Sequence, residues 1–451
     1  MTSRRTEKLL KYDREHIVGS RWAIGGNNGI VLEKGYGIYL QDTEGKTYID
    51  SGSQLICVNL GYSQQEIINA VRDEMEKLPF GMLFFGFTND ATVECARKLS
   101  GIVPPGLDHF NFTTSGSGAV ELAIRMSRLY SSAKGTGKYK IVALYDSYHG
   151  TAGGGLGATG TGRGGLTRGV APIMPGFIHI PSYYCYRCMF GLEYPNCDIT
   201  CARYLNEVIE QEGAGNVAAF IAEPEMGASG MIAPPPEYWP LVREICRKHD
   251  VLFIADEVMC GFGRTGKMFT VEHWNIRPDI ITMSKGITGA YMPFGAVAFS
   301  AEIWQALTGR GLTSYTFAGH PASAAAAAKA IEIYRRDKVA ENAAEMGKYA
   351  MERLQREFLP LPCVGEVNGL GLMIGIEIVA DKKTRKPFDP KLNIMQRIQD
   401  EGLEKGIYLR VSDIGTTPGD RIAFCPPLII TREEIDKALD ILYSIVANLK
   451  P

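Results

Sequence analysis

Short apolar runs alternate with amphipathic stretches through the middle of the chain. Residues 109–112, 140–145, 217–222, 251–255, 280–283 and 295–299 are short, mostly apolar runs that suit strands buried on both faces. They are read as parallel strands. Between them, residues 119–129 and 238–248 repeat apolar positions at helical spacing. The pattern predicts an α/β fold built on a mostly parallel, doubly wound sheet, whose strand-end loops gather a ligand.

The ends of the chain read differently. Residues 37–50 look like a hairpin that turns at Glu44-Gly45. Pro321 opens an alanine-rich helix running to Arg336, read as a packed connector. Beyond it, segments 369–378, 407–410 and 421–424 and a helix over 432–449 suggest a smaller α+β unit. Three regions are expected. Residues 1–60 form an N-terminal segment packing with the small domain, 61–330 the large ligand-binding domain, and 331–451 the C-terminal small domain, with a cleft between the two domains.

Composition narrows the partners. A formal charge of -2 over 451 residues, with no Lys/Arg block, argues against nucleic acid. No apolar run reaches the roughly 18 residues of a membrane span, and residues 1–8 lead into no apolar signal core. A cytoplasmic protein without membrane contact is expected. Of ten cysteines, Cys185, Cys188, Cys197 and Cys201 cluster around a short loop. Two close thiolate pairs are compatible with structural zinc. The segment lacks the strand-turn pattern of a zinc ribbon, so packed reduced thiols or a disulfide are the preferred reading, with no metal and with loop ordering as the role.

Candidate chemistry begins at Lys285, which lies about thirty residues beyond Asp256, where an apolar strand ends. A lysine amine condenses with the aldehyde of pyridoxal 5'-phosphate, and a carboxylate keeps the pyridine nitrogen protonated, so that the ring accepts electrons. Each half is common alone. A phosphate cup is available at residues 113–119, where a strand passes through Ser115, Gly116 and Ser117 into a helix; an ordinary capped turn is the plainer reading of that segment. Residues 160–165 formally match a dinucleotide fingerprint, but Pro172 and Pro175 follow where a helix is required. That reading is rejected.

The ordered set Ser115-Gly-Ser117, Tyr148-His-Gly150, Glu223-Pro224, Asp256-Glu-Val258, Gly261-Phe-Gly-Arg-Thr-Gly266, Ser284-Lys-Gly286, Thr316-Phe-Ala-Gly-His-Pro321 and Pro426-Pro-Leu428 resembles the class III aminotransferases. The resemblance covers nearly the whole chain. It implies a fold type I enzyme that binds pyridoxal phosphate and forms a homodimer with shared active sites, a tetramer being the larger alternative. It implies that Lys285 carries the cofactor and moves protons, that Asp256 holds the pyridinium, and that Tyr148 and Val258 clamp the ring. Ser115, Gly116 and Ser117 then bind the phosphate, Thr316 reaches it from the partner subunit, and Glu223 sits at the substrate-side rim.

The same resemblance implies ping-pong transfer from an amine donor to a 2-oxo acid such as pyruvate or 2-oxoglutarate. Its departures bear on substrate. Ala423 stands where ornithine- and 4-aminobutyrate-type members carry an arginine, whereas Arg410 resembles the arginine of members acting on ω-amines, taurine or β-alanine. Arg410 is therefore the expected acceptor clamp, although the loop 411–420 looks longer than usual. Ile56 replaces a frequent tryptophan and is expected to widen the pocket mouth. Gly118 replaces a frequent glutamate, and Glu225-Met226 the usual Val-Gln or Ile-Gln. The stretch 186–202 is similar to taurine:pyruvate and β-amino-substrate branches. The donor is read as a β-amino acid, taurine, β-alanine or a β-aminoacyl thioester, and a lyase or racemase on the same scaffold is the alternative.

Overall fold

The computed structural model describes residues 2–17, 29–160, 170–312, 315–412 and 419–449. Residues 161–165 of the rejected dinucleotide motif and 413–418 of the long loop lie outside the described residues. The chain forms three sheets. At the N-terminus β1 (Leu32–Tyr36), β2 (Tyr39–Asp42) and β3 (Thr47–Asp50) make an antiparallel meander, turning where Glu44-Gly45 was expected to turn it.

The central sheet takes β4 (His109–Thr113), β5 (Lys140–Leu144), β6 (Phe177–Ile180), β7 (Val217–Ala222), β8 (Leu252–Asp256), β9 (Ile280–Met283) and β10 (Gly295–Phe299). Their order is β4-β10-β9-β8-β7-β5-β6. This is the mostly parallel α/β sheet read from the sequence, with one correction. β10 runs antiparallel to both neighbours, because the link from β9 carries only the short 3-10 turn Lys285–Thr288 and no crossover helix. β6 was missed: it is four residues long, lies at the sheet edge and follows Pro172 and Pro175.

The C-terminal sheet takes β11 (Val364–Leu370), β12 (Met373–Ile378), β14 (Arg410–Ser412) and β15 (Asp420–Phe424), in the order β11-β12-β15-β14. Two sequence segments are corrected here. Residues 369–378 straddle a hairpin, because Gly371 sits in the left-handed region at φ 53° and reverses the chain. Residues 407–410 serve two sheets: β13 (Ile407–Tyr408) pairs in parallel with β3, and Arg410 opens β14. The helix Pro321–Arg336 packs against the helices Gln65–Lys77 and Asp90–Ser100. Among the described residues, no helix is long and apolar enough to cross a membrane.

Candidate active site

The strands β4, β5, β7, β8 and β9 point the same way, so the segments that follow them meet at one edge of the sheet. There they enclose a cavity of about 180 Å³ lined by Ser115, Gly116, Ser117, Val120, Tyr148, His149, Gly150, Glu223, Asp256, Val258, Met259, Ser284 and Lys285. Eight of the eleven site residues named from the sequence line it; Arg410, Ile56 and Thr316 do not.

Asp256 closes β8 and is buried. Its Oδ1 accepts from the Thr282 hydroxyl at 2.9 Å and from the Val258 N–H at 3.1 Å, and its Oδ2 meets His149 Nδ1 at 2.7 Å. An ionised carboxylate only accepts, so Nδ1 donates. His149 Nε2 is buried without a hydrogen-bond partner among the described residues. Neither His149 nor Thr282 was given a role from the sequence. Thr282 becomes visible only through register, because it faces Asp256 across β8 and β9.

Lys285 follows β9 in a left-handed conformation, φ 37°, which costs about 1–3 kcal/mol for a residue with a side chain. The next residue explains how it is held. A Cβ on Gly286 would lie 2.6 Å from Asn59 Nδ2 and 2.9 Å from Phe262 Cβ, and the Gly286 carbonyl accepts from Tyr334 at 2.7 Å. The tripeptide is therefore a packed turn. Burial, and then the charge of Arg410, lower the Lys285 pKa from the ordinary lysine value.

Residues 113–119 fold as a strand-to-helix turn. Ser115 caps the helix Gly116–Ala133 by accepting from the Gly118 N–H at 3.1 Å. The N–H groups of a first helical turn have no partners within the helix and favour an anion. A Cβ at Gly116 would meet Val258 at 2.7 Å, and one at Gly150 would meet the Ser117 hydroxyl at 2.3 Å. Side chains there would fill the cradle.

Glu223 is not at the rim. It is buried just past β7 and accepts the N–H groups of Tyr148 and Gly227, each at 2.9 Å. Burial, with the Asp256 charge adding, pushes its pKa up to about 7 despite His149 and those two donors. Ile56 is also not at the mouth. It is wholly buried in a sulfur-rich cluster with Met231, Met259, Cys260, Met373, Ala423 and Cys425, and so backs the wall through Met259. The turn Ser53–Ile56 causes this: Ser53, Gln54 and Ile56 all have positive φ, which swings Leu55 outward and Ile56 inward.

Arg410 is half-buried beside the cavity, its Cβ tight against Gly52, and its charge acts on Lys285 and Tyr148. Across the sheet it pairs with Ala423, so the two arginine positions weighed from the sequence are neighbours. Thr316 is exposed and outside this cavity. Glu225 is fully buried, and neither of its oxygens has a hydrogen-bond partner among the described residues.

The four clustered cysteines are unpaired and line a small cavity with Tyr183, Tyr184 and Phe190. Burial pushes the Cys185 thiol up to about 11 and the Cys201 thiol up to about 12. Among the described residues, no three His, Cys, Asp or Glu side chains are grouped to hold a metal ion.

Comparison with known proteins places nearly the whole chain in one family. The aminotransferase class-III family profile matches residues 23–446. A putrescine–pyruvate aminotransferase of Pseudomonas aeruginosa is 37% identical over 417 residues, covering 91% of this chain and 88% of the relative. A diaminobutyrate–2-oxoglutarate transaminase of Halomonas elongata is 34% identical, covering 92% and 90%. The crystal structure of an (S)-enantioselective omega-transaminase from Thermomicrobium roseum superposes with a TM-score of 0.93 at 36% identity, covering 99% of each chain. A lysine beside a wrapped carboxylate, a helix start and a glycine-lined cradle fit the pyridoxal phosphate this family uses, and the chain belongs to the class III aminotransferases.

Proposed function

We propose that this class III transaminase takes the amino group of an ω- or β-amine donor, passes it to a 2-oxo acid such as pyruvate and works by ping-pong kinetics. The observation that carries the reading is the joint placement of Asp256, Lys285 and the Ser115–Ser117 cup around one cavity. When bound there, pyridoxal phosphate supplies an electron sink for the carbanion left by proton removal.

The chain's own residues do the rest. Lys285 Nζ takes the proton from the substrate carbon bearing the nitrogen and later returns it, a task suited by its lowered pKa. Asp256, fixed by His149, Thr282 and the Val258 N–H, would hold the ring nitrogen and keep a negative charge beside it. Tyr148 and Val258 would hold the ring faces, and Ser115, Gly116 and Ser117 would hold the phosphate. Glu223 fixes the Tyr148 backbone. Arg410 receives the acceptor carboxylate through a planar fork that suits it.

The assembly is proposed as a homodimer in which Thr316 completes the phosphate site of the second subunit; its exposure beside the exposed Phe317 supports this. The division into 1–60, 61–330 and 331–451 is kept as the domain proposal, and the pairing of β3 with β13 supports the link between the first and last parts. The donor class is favoured by Ala423, which leaves no second fixed arginine beside Arg410.

A half-reaction screen tests the donor. Holoenzyme is mixed with taurine, β-alanine, β-amino acids, a β-aminoacyl thioester and diamines, and loss of the cofactor's visible band is followed. Rapid loss with ω- or β-amines and slow loss with α-amino acids is expected. The reverse ranking refutes the proposed donor class.

A further inference from the structure

We propose that Tyr184, Arg187, Glu377 and Arg421, all outside the cavity, form a positioning network that sets Arg410 for the substrate carboxylate; the inference rests on the reading of Arg410 given above. The loop carrying the clustered cysteines supplies half of the network. In its 3-10 turn Cys185–Arg187, Arg187 forks onto Glu377 Oε1, with Nε at 2.8 Å and Nη2 at 2.6 Å. Arg187 Nη1 also donates to the Arg385 carbonyl at 2.8 Å.

Tyr184 Oη donates to Glu377 Oε2 at 2.5 Å and accepts from Arg421 Nη1 at 2.7 Å. Arg421 Nη1 also reaches Glu366 at 3.0 Å and Glu377 at 3.2 Å. Glu377 and Arg421 are buried, so each charge persists there only because the others compensate it. Apolar residues of the same volume would give comparable stability, and what ionic networks add is register.

Register is what Arg410 needs. It opens β14, a three-residue strand at the edge of the C-terminal sheet, whose one strand partner among the described residues is β15. On β15, Arg421 pairs with Ser412 on one side and Glu377 on the other, and two residues further Ala423 pairs with Arg410. A one-residue slip of β15 against β12, carried over to the β14 paired with it, would turn the Arg410 side chain to the opposite face. A second observation ties the far end of the segment after Arg410 to the same place. A Cβ on Gly419 would lie 2.3 Å from Glu377 Oε1 and 2.8 Å from Arg187 Nε. The chain therefore returns directly onto the network before entering β15.

The test uses holoenzyme carrying Arg187→Met, Arg187→Lys, Tyr184→Phe, Arg410→Gln and the double variant Arg187→Met/Arg410→Gln. Three quantities are read: the half-reaction with an amine lacking a carboxylate, the half-reaction with pyruvate, and calorimetric affinity for propionate as an unreactive carboxylate. Arg187→Met should raise the pyruvate KM and weaken propionate about tenfold, because misplacing a binding group by 1 Å can cost up to about 100-fold. The amine half-reaction should stay within about twofold, and Arg187→Lys should recover part of the loss. In the Arg410→Gln background Arg187→Met should add nothing, which marks action through Arg410.

Tyr184→Phe removes one hydroxyl and carries the test if Arg187→Met does not fold. Equal loss in both half-reactions, or full additivity with Arg410→Gln, overturns the network's role. If Arg410→Gln alone leaves pyruvate and propionate unaffected, it is the reading of Arg410 that fails.

Discussion

Where β8 and β9 end, Asp256 is buried with partners on both oxygens, whereas Glu225, buried as fully beyond β7, has none. The difference extends to their surroundings. Around Asp256 and Lys285 the backbone is locked by Thr282, Tyr334 and glycines that admit no side chain. Around Glu225 lies the sulfur-rich cluster backed by the strained turn Ser53–Ile56. The first region carries the left-handed Lys285 among fixed partners. The second lies behind the cavity wall at Met259 and holds an unpaired acid beside a turn with three left-handed residues.

The sharpest break of the first region is Lys285→Ala. Removing both the covalent anchor and the proton carrier should lower the transamination rate by about 10⁴-fold or more, measured in single-turnover half-reactions. Residual turnover within about tenfold of the parent would remove Lys285 from the mechanism. His149→Ala attacks the same region through its support. It strands Asp256 Oδ2 in the interior, and losing a hydrogen bond to a buried carboxylate costs about 1.5–3 kcal/mol in thermal or denaturant unfolding. An unchanged unfolding midpoint would mean that Asp256 does not depend on that contact.

The same contrast decides what could be read from the sequence. Lys285, Asp256 and the Ser115–Ser117 cup are legible because strand, turn and helix signals place them at the ends of parallel strands, where continuous apolar runs announce the sheet. His149 is not, since it lies 107 positions from the aspartate it serves and only folding brings them together. The place of Ile56 also escaped, because nothing in Ser-Gly-Ser-Gln-Leu-Ile announces a left-handed turn without a glycine at its centre. β10 looked parallel because a buried strand has the same composition in either direction.

Glu225→Met probes the second region. Burial, with smaller contributions from the Glu223 and Glu257 charges, holds the Glu225 pKa well above the ordinary carboxylate value; the Arg421 charge and the nearby Leu370 N–H offset part of this. The folded chain thus keeps a proton that the unfolded chain releases above about pH 4.3. Stability from this group is full at acid pH and is lost as pH rises toward the folded pKa. Replacing the unpartnered acid with an apolar group of similar shape should stabilise by about 1–3 kcal/mol near neutrality. The gain should grow between pH 5 and pH 8, followed as the shift in unfolding midpoint. A pH-independent difference would mean that Glu225 is ionised or solvated in the fold.

The smallest expected effect isolates the strain itself. Gln54 has φ 55° and ψ -104°, a conformation that glycine adopts freely and a residue with a Cβ does not. The turn is held there by surrounding bonds. Asp50 accepts the N–H groups of Gly52 and Gln54, each at 3.1 Å, and the Ser53 hydroxyl donates to the Cys425 carbonyl at 2.7 Å. Gln54→Gly keeps all of these backbone contacts, so relief of strain should outweigh the added freedom of the unfolded chain and stabilise by about 1 kcal/mol. If the turn seats Ile56 behind Met259 through those bonds rather than through the Gln54 side chain, kinetics with every donor should be unchanged. A stabilised variant with altered donor ranking would instead show that strain at residue 54 is transmitted to the pocket wall.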